Sequence, residues 1–407
     1  MPELSLPTAD YQPDANVPLV GIRVLDLSRL VSGNMVTHQL ADFGAEVIKV
    51  ERPGVGDDLR NWRVNGVEVH FKHYCRNKRS ITLNLKTEEG KEVFFKLVKD
   101  ADVLIENYRS TVKHKLGVDY ETVRKVNPRL VYASISGFGQ SGPYNNRHGV
   151  DQIAQGMGGL MSVTGEPGSG PMRVGVPISD LCAGMFLAHG VLMALLDREV
   201  TGEGQWVHTS LLESMINMMD LHAARWLVKG EVSKSAGNNH PTGIPMGLFK
   251  AKDAHIVVAG SGNLYPRFCK AVGLEEFIDH PDYDTVDKRS NNRDALNEII
   301  QNKFNEFTLA ELTEILIEAG VPCGPVNTLD QVFDNPQVKH LKMSRTQEHP
   351  TLGDLDLVGS AINLSNAPKP DTFKRHTPEA GEHTAEILGE LGYSTDAIEE
   401  LQGKKVI

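Results

Sequence analysis

The chain has 407 residues, 40% hydrophobic and 23% charged, enough for two or more domains with sizeable cores. Its net charge of −11 argues against nucleic acid or an anionic membrane as the main partner, while leaving room for an anionic small ligand held by local basic residues. Cys75, Cys182, Cys269 and Cys323 fit no disulfide or metal spacing, and the 15 histidines form no His-Glu-x-x-His pattern. Free thiols in a reducing cytoplasm, with no metal site, are therefore expected.

Residues Met1 to Pro18 carry acids and prolines but no Lys or Arg, which predicts a polar arm and not a signal peptide. No apolar run reaches the roughly 20 residues needed to cross a bilayer. Ile22 to Leu27 predicts a strand, Ser28 to Gly33 a loop, Asn34 to Phe43 a helix stopped at Gly44, and Glu46 to Val50 the next strand. That is a βαβ unit, the signature of a parallel sheet. The alternation continues with a helix over Glu88 to Lys99, a strand over Val103 to Glu106, a helix over Tyr120 to Val126 and a strand over Leu130 to Ile135. Together they imply an α/β fold with a doubly wound, Rossmann-like parallel sheet covered by helices on both faces.

The stretch Leu181 to Leu196 is apolar around nearly its whole circumference, which predicts a helix buried on all sides and running to Arg198. A strand over Gln205 to Thr209 and a Met-rich helix over Glu213 to Val228 follow, the methionines reading as core filler. Gly, Asn and Pro then cluster from Ser233 to Gly247. Beyond them come a hairpin of Met246 to Lys250 with His255 to Ala259, and helices over Tyr265 to Val272, Asn291 to Phe304 and Leu309 to Ala319. The resulting division is a large domain over 1–212, a helical linker over 213–236 and a small α+β domain over 237–337. A return linker over 338–358, with extended pieces from His340 to Val358, leads to a segment over 359–407 that rejoins the large domain, with helices over Glu379 to Leu391 and Thr395 to Leu401.

Ligands of open parallel sheets bind at the carboxyl ends of the strands. Four loops leave those ends with suitable chemistry: Arg29 to Gly33, Arg52 to Arg60, Asn107 to Arg109 leading towards Lys115, and Ser136 to Pro143. The fourth holds a literal Gly-x-Gly-x-x-Gly, but Pro143 and a turn follow where a dinucleotide fingerprint needs a helix, so that reading is weak. Arg52, Arg79, Lys86, Arg109 and Lys115 near strand ends suit a ligand bearing several phosphates, although each alone reads equally as solvated surface. Asp180 is a lone carboxylate where the apolar helix begins. It reads either as an N-cap or as a nucleophile kept ionised by the helix dipole and unpaired N–H groups.

Ordered motifs settle on one resemblance. They include Gly21-Ile22-Arg23-Val24-Leu25-Asp26-Leu27, Asp42-Phe43-Gly44-Ala45-Glu46-Val47-Ile48-Lys49-Val50-Glu51, Asn77-Lys78-Arg79-Ser80-Ile81, Glu106-Asn107-Tyr108, Ser134-Ile135-Ser136-Gly137-Phe138-Gly139-Gln140 and Gly320-Val321-Pro322-Cys323-Gly324-Pro325-Val326. From about Pro18 onward the chain resembles the family III CoA-transferases, relatives of formyl-CoA:oxalate and carnitine CoA-transferases. The resemblance implies that Asp180 is the catalytic nucleophile, passing through aspartyl anhydride and aspartyl-CoA thioester intermediates. It implies an interlocked-ring homodimer, and a mobile loop at Gly237, Asn238, Asn239 and His240 that covers the substrate. The CoA contacts carried over are Val31, Ser32, Arg52, Leu83, Lys86, Asn107, Tyr108, Arg109, Lys115, Ser136, Gly137, Phe138 and Gly139, with Val31 and Leu83 equally readable as core. CoA enters as part of the acyl-CoA substrate, no cofactor is permanently bound, and the acceptor is a small carboxylic acid.

This sequence departs from the formyl-type pattern at Ser32, at Ser136 and in the Gly237 loop, which points away from oxalate towards succinyl-CoA and small dicarboxylates. The related α-methylacyl-CoA racemases carry Gly-His-Asp where this chain has Gly149-Val150-Asp151. Valine cannot move a proton, so the racemase alternative is disfavoured. A non-catalytic CoA-thioester-binding protein with Asp180 as an inert cap is the remaining alternative.

Overall fold

The computed structural model describes residues 17–407, so the predicted polar arm lies, but for its last two residues, outside the described residues. Two compact units are present. The larger comprises the chain up to Leu160, then Val174–Gly230 and Pro336–Ile407. At its centre six parallel strands, β1 (Arg23–Asp26), β2 (Glu46–Glu51), β3 (Lys78–Thr82), β4 (Val103–Glu106), β5 (Val131–Ser136) and β6 (Trp206–Ser210), run in the order β3-β2-β1-β4-β5-β6. The chain winds outward from β1 to β3 and restarts at β4, which makes the carboxyl ends of β1 and β4 the switch point of the sheet.

Side chains alternate across the sheet. Leu25, Ile48, Leu104 and Tyr132 enter one core with Val93, Phe94 and Leu97 of the helix Glu88–Lys99. Val24, Val47, Val103, Val131 and Ala133 enter the other with α1 (Leu30–Asp42) and the helix Ile178–Thr201. Both faces are covered, which is why the strand interiors are almost continuously apolar. α2 (Val69–Tyr74) precedes β3, and α3 (Glu88–Lys99) starts where the Thr87 hydroxyl accepts the Gly90 N–H. α4 (Ser110–Leu116) follows β4.

The helix Ile178–Thr201 is, by length and composition, apolar enough to cross a membrane, which corrects the sequence count; Asp180 and His189 interrupt the run. Half of its apolar window is buried within the fold, against α1 and the sheet. Close approach to α1 depends on Gly184, where a Cβ would lie 2.7 Å from the Met35 side chain and 2.9 Å from the Ser32 carbonyl oxygen.

Several elements differ from the sequence reading. β3 was not predicted, because it opens with Lys78-Arg79-Ser80. The helix expected over Glu213 to Val228 is two, Leu211–Asn217 and Asp220–Lys229. The extended pieces expected in the return linker pair as an antiparallel hairpin, β10 (Ser344–His349) with β11 (Gly353–Val358). The first tail helix is only Thr384–Glu390, and the last is Thr395–Gly403.

The smaller unit comprises Met161–Arg173 and Glu231–Asn335; residues 161–173 had been counted with the large domain. It carries the antiparallel sheet of β7 (Met246–Lys250), β8 (His255–Ala259) and β9 (Cys323–Pro325). Its own core gathers Phe249, Ile256, Val258, Phe268, Phe304, Leu312 and Leu316.

Candidate active site

At the carboxyl ends of β1 to β4 a cleft of about 790 Å³ opens in the larger unit. Arg29 lines it after β1, Val50 and Glu51 at the end of β2 and Arg52 to Val55 after it, Leu83 to Lys86 after β3, and Tyr108, Val112 and Leu116 after β4, with Lys405 and Ile407 completing the lining. Asn107 joins the two loops of the switch point. Its side-chain oxygen accepts the Arg29 N–H at 2.9 Å and its amide donates to the Arg29 carbonyl at 2.6 Å. The Arg29 guanidinium lies 5.7 Å from the Tyr108 ring centroid, and burial pushes the Tyr108 hydroxyl up to about 12, so it stays protonated. Apolar walls with Arg29, Arg52, Lys86 and Lys405 among them suit a long ligand with phosphates.

A buried ionic network fixes these loops. Lys49 Nζ lies 2.9 Å from Asp57 and 3.6 Å from Asp26, and Lys78 Nζ lies 3.0 Å from Asp26, with Asn34 accepting from both lysines. Asp57 also accepts the Leu30 N–H at the start of α1. Opposite charges offset the cost of burial here, and removal of one partner would leave a buried charge uncompensated. Burial opposes the ionisation of Asp26, yet Lys49 and Lys78 hold its carboxyl well below the usual range.

Of the expected CoA contacts, Arg52, Leu83, Lys86 and Tyr108 line the cleft, and Asn107 supports it. The others are elsewhere. Val31 is buried in a small core with Leu59, Phe71, Tyr74 and Cys75. Ser32 is part of α1 instead of a loop, and its hydroxyl donates to Asp180. Arg109 approaches His148 Nε2 at 3.0 Å, and Lys115 is exposed on the last turn of α4. Ser136 ends β5 and Gly137, Phe138 and Gly139 follow it, and none of the four lines this cleft; Ser136 Oγ accepts the Gly139 N–H at 3.0 Å. Arg79 sits at the amino-terminal end of the sheet on β3, held by Glu46 at 2.7 Å and Glu390 at 2.7 Å, which removes it from the phosphate cluster. Arg29, Lys405 and Ile407 were not among the expected contacts.

Asp180 is not an N-cap. The helix begins at Ile178 after Pro177, and no side chain caps it, so Asp180 is the third helical residue. Nor does its position keep the carboxyl acidic. Burial pushes it up to about 7, the charge of Asp151 adds to the effect, and the Ser32 hydrogen bond only partly opposes it. Near neutrality it therefore interconverts between an acid and a carboxylate more basic, hence more nucleophilic, than one on the surface. Burial of Tyr74, with the Asp180 charge adding to it, pushes the Tyr74 hydroxyl up to about 12.

Asp151 and Gln155 went unnoticed as support for Asp180. Asp151 opens the helix Asp151–Met157 and accepts the Ser179 N–H at 2.9 Å, the Ser179 hydroxyl at 2.8 Å and the Gln155 amide at 2.7 Å. Gln155, fully buried, accepts the Val174 N–H at 2.9 Å. The approach to Asp180 is thereby stapled to this helix. The β5 loop presses on the start of the same helix, since a Cβ on Gly137 would lie 2.6 Å from the Gly149 Cα. Val150 is its exposed N-cap residue.

In the smaller unit Gly237 has φ +59° and donates its N–H to the Gly165 carbonyl at 3.1 Å, and Asn238 donates to Glu166 at 3.2 Å. The Asn239 amide oxygen accepts from Asn297 at 3.1 Å. His240 Nδ1 accepts the Gly243 N–H at 2.9 Å, which places the proton of the neutral ring on Nε2.

The description of CoA-transferase family III matches residues 19–384. The chain belongs to that family. Succinyl-CoA:glutarate CoA-transferase from Mus musculus is 38% identical over 400 residues, covering 97% of this chain and 91% of that protein. Succinate–glutarate CoA-transferase from Agrobacterium fabrum is 35% identical, covering 93% of this chain and 97% of its own length. The crystal structure of a CaiB/BaiF family protein from Brucella suis superposes with a TM-score of 0.82 at 35% identity, over 92% of this chain and 100% of that one. This family III chain is thus a CoA-transferase, with CoA entering as part of the substrate.

Proposed function

We propose that this family III CoA-transferase moves CoA from succinyl-CoA to a small dicarboxylic acid through covalent intermediates on Asp180. The observation that carries the reading is Asp180 itself, a partly buried carboxyl in the first turn of a core helix, balanced near neutrality and held in register by Asp151. A carboxylate oxygen of Asp180 attacks the thioester carbonyl, and the C–S bond breaks to give a mixed anhydride and CoA thiolate. The thiolate then attacks the aspartyl carbonyl, releasing the donor acid and leaving an aspartyl-CoA thioester. An acceptor carboxylate attacks that thioester, giving a second anhydride and thiolate again. Attack of the thiolate on the acceptor's acyl carbon forms the product and regenerates Asp180. The cleft at β1 to β4 holds the CoA moiety, with Arg52, Lys86 and Tyr108 contributing contacts.

The names of the relatives support succinyl-CoA as donor and glutarate or a similar acid as acceptor. The reading also includes a homodimer. The outer face of the Asp180 helix leaves Met193, Leu196 and Val200 exposed, and Leu227 and Val228 are exposed farther along, an apolar surface suited to a second copy. Steady-state assays with succinyl-CoA against glutarate, other dicarboxylates, oxalate and monocarboxylates test the substrate class. Dicarboxylates such as glutarate are expected to give the highest kcat/KM; a preference for oxalate or monocarboxylates would contradict it. Light scattering at micromolar concentration is expected to give twice the chain mass, and a monomer would contradict the dimer.

A further inference from the structure

The helix Thr395–Gly403 ends in a two-bond cap, in which Lys405 N–H donates to the Gln402 carbonyl and Val406 N–H to the Leu401 carbonyl, both at 2.9 Å. This is a Schellman arrangement, whose penultimate position is left-handed and usually glycine. Here that residue is Lys405, with φ +56°. A side chain at this position is strained, and the cap gains nothing from it. Val406, buried with Leu401, already supplies the apolar contact that accompanies the motif. An outlier of this kind calls for a use outside the cap.

The use lies in what the lysine faces. Lys405 lines the same cleft as Lys86. The two are tied by one backbone bridge: Asn84 N–H donates to the Val406 carbonyl at 2.7 Å, while the Asn84 side chain accepts the Lys86 N–H at 3.2 Å. Among the described residues neither lysine forms an ion pair, whereas Arg29 and Arg52 share Asp58, and Lys404 is engaged by Glu400 and Glu89. Two uncommitted ammonium groups on one rim match a dianionic phosphate monoester. In CoA that group is the 3′-phosphate.

We propose that Lys405, together with Lys86, binds the 3′-phosphate of the CoA substrate; this rests on the reading that the cleft takes CoA. Isothermal titration of wild type, Lys405→Gly and Lys405→Gln with CoA and with 3′-dephospho-CoA, alongside thermal melting, tests it. Both variants are expected to bind CoA about tenfold more weakly, as loss of one charge-assisted contact would give, and to bind 3′-dephospho-CoA like wild type. Lys405→Gly is also expected to melt at or above the wild-type temperature, because the strain is relieved. CoA binding unchanged in both variants, or CoA and 3′-dephospho-CoA weakened alike, would overturn the assignment. Wild-type protein that binds neither nucleotide would instead overturn the placement of CoA in this cleft, and this assignment with it.

Discussion

Asp151 accepts both the backbone N–H and the hydroxyl of Ser179, at 2.9 and 2.8 Å, and so holds the residue directly before Asp180. The two carboxyls consequently live in different environments. Asp151 is fully engaged by donors from Ser179 and Gln155, whereas at the partly buried Asp180 desolvation and the charge of Asp151 work against ionisation and the Ser32 hydroxyl only partly offsets them. In the proposed mechanism such a division sets one carboxyl to hold structure and the other to do chemistry.

The pH profile should report this division. With the Asp180 carboxyl pushed up to about 7, kcat/KM for succinyl-CoA is expected to rise with pH up to about 7 and level off above it. Asp151→Asn removes the neighbouring charge, so the limb moves to lower pH, by roughly half a unit to one unit. A wild-type limb near pH 4, or one unmoved in the variant, would contradict the coupling.

Stability should follow the same titration. Because the folded-state value near 7 lies above the unfolded value of 3.8, the folded protein binds more protons between these limits. Its stability therefore falls as pH rises through that window. Asp180→Asn removes the cost and is expected to be more stable than wild type at pH 8 by roughly 1–4 kcal/mol. The difference should vanish near pH 4. Urea unfolding at both pH values measures it, and a variant less stable at pH 8 would count against the buried-carboxyl account.

Gly184 sets the distance between α1, which carries Ser32, and the helix that carries Asp180. Gly184→Ala is expected to cost about 1–3 kcal/mol through overpacking against Met35 and the Ser32 carbonyl. It should lower kcat more than it raises the KM for acyl-CoA, because the residues lining the cleft lie elsewhere. A change confined to KM would show that the α1 contact does not position the nucleophile.

The basic cluster offers a contrast between binding and structure. Arg52→Gln is expected to raise the KM for succinyl-CoA severalfold with kcat little changed, since Arg52 lines the cleft. Arg79→Gln should leave KM unchanged and cost about 1–2 kcal/mol, because Glu46 and Glu390 hold that side chain at the other end of the sheet. Equal effects on KM would contradict the geometry.

The difference between Arg52 and Arg79 also shows where sequence reading stops. The parallel sheet was legible because β1, β2 and β4 are apolar runs flanked by clear helix signals, and α3 announces itself with Thr87 and two glutamates. β3 was illegible because Lys78 and Arg79 look like surface residues until Asp26 and Glu46 are brought beside them by the fold. Asp180 stood out through the motifs around it. Its helical position and its affinity for a proton did not, because both come from burial and from Asp151, residues away in sequence but adjacent in space. Lys405 was hidden for the same reason: only the folded chain brings it to the rim that carries Lys86.

In the proposed reaction Asp180 carries the acyl group and CoA covalently. The most direct measurement is mass spectrometry of the protein after incubation with succinyl-CoA and either hydroxylamine or borohydride, followed by peptide mapping. Modification confined to Asp180, dependent on acyl-CoA and abolished together with transfer in Asp180→Asn, is the predicted result. An unmodified Asp180 during turnover, or an Asp180→Asn protein that still moves CoA between acids, would contradict it.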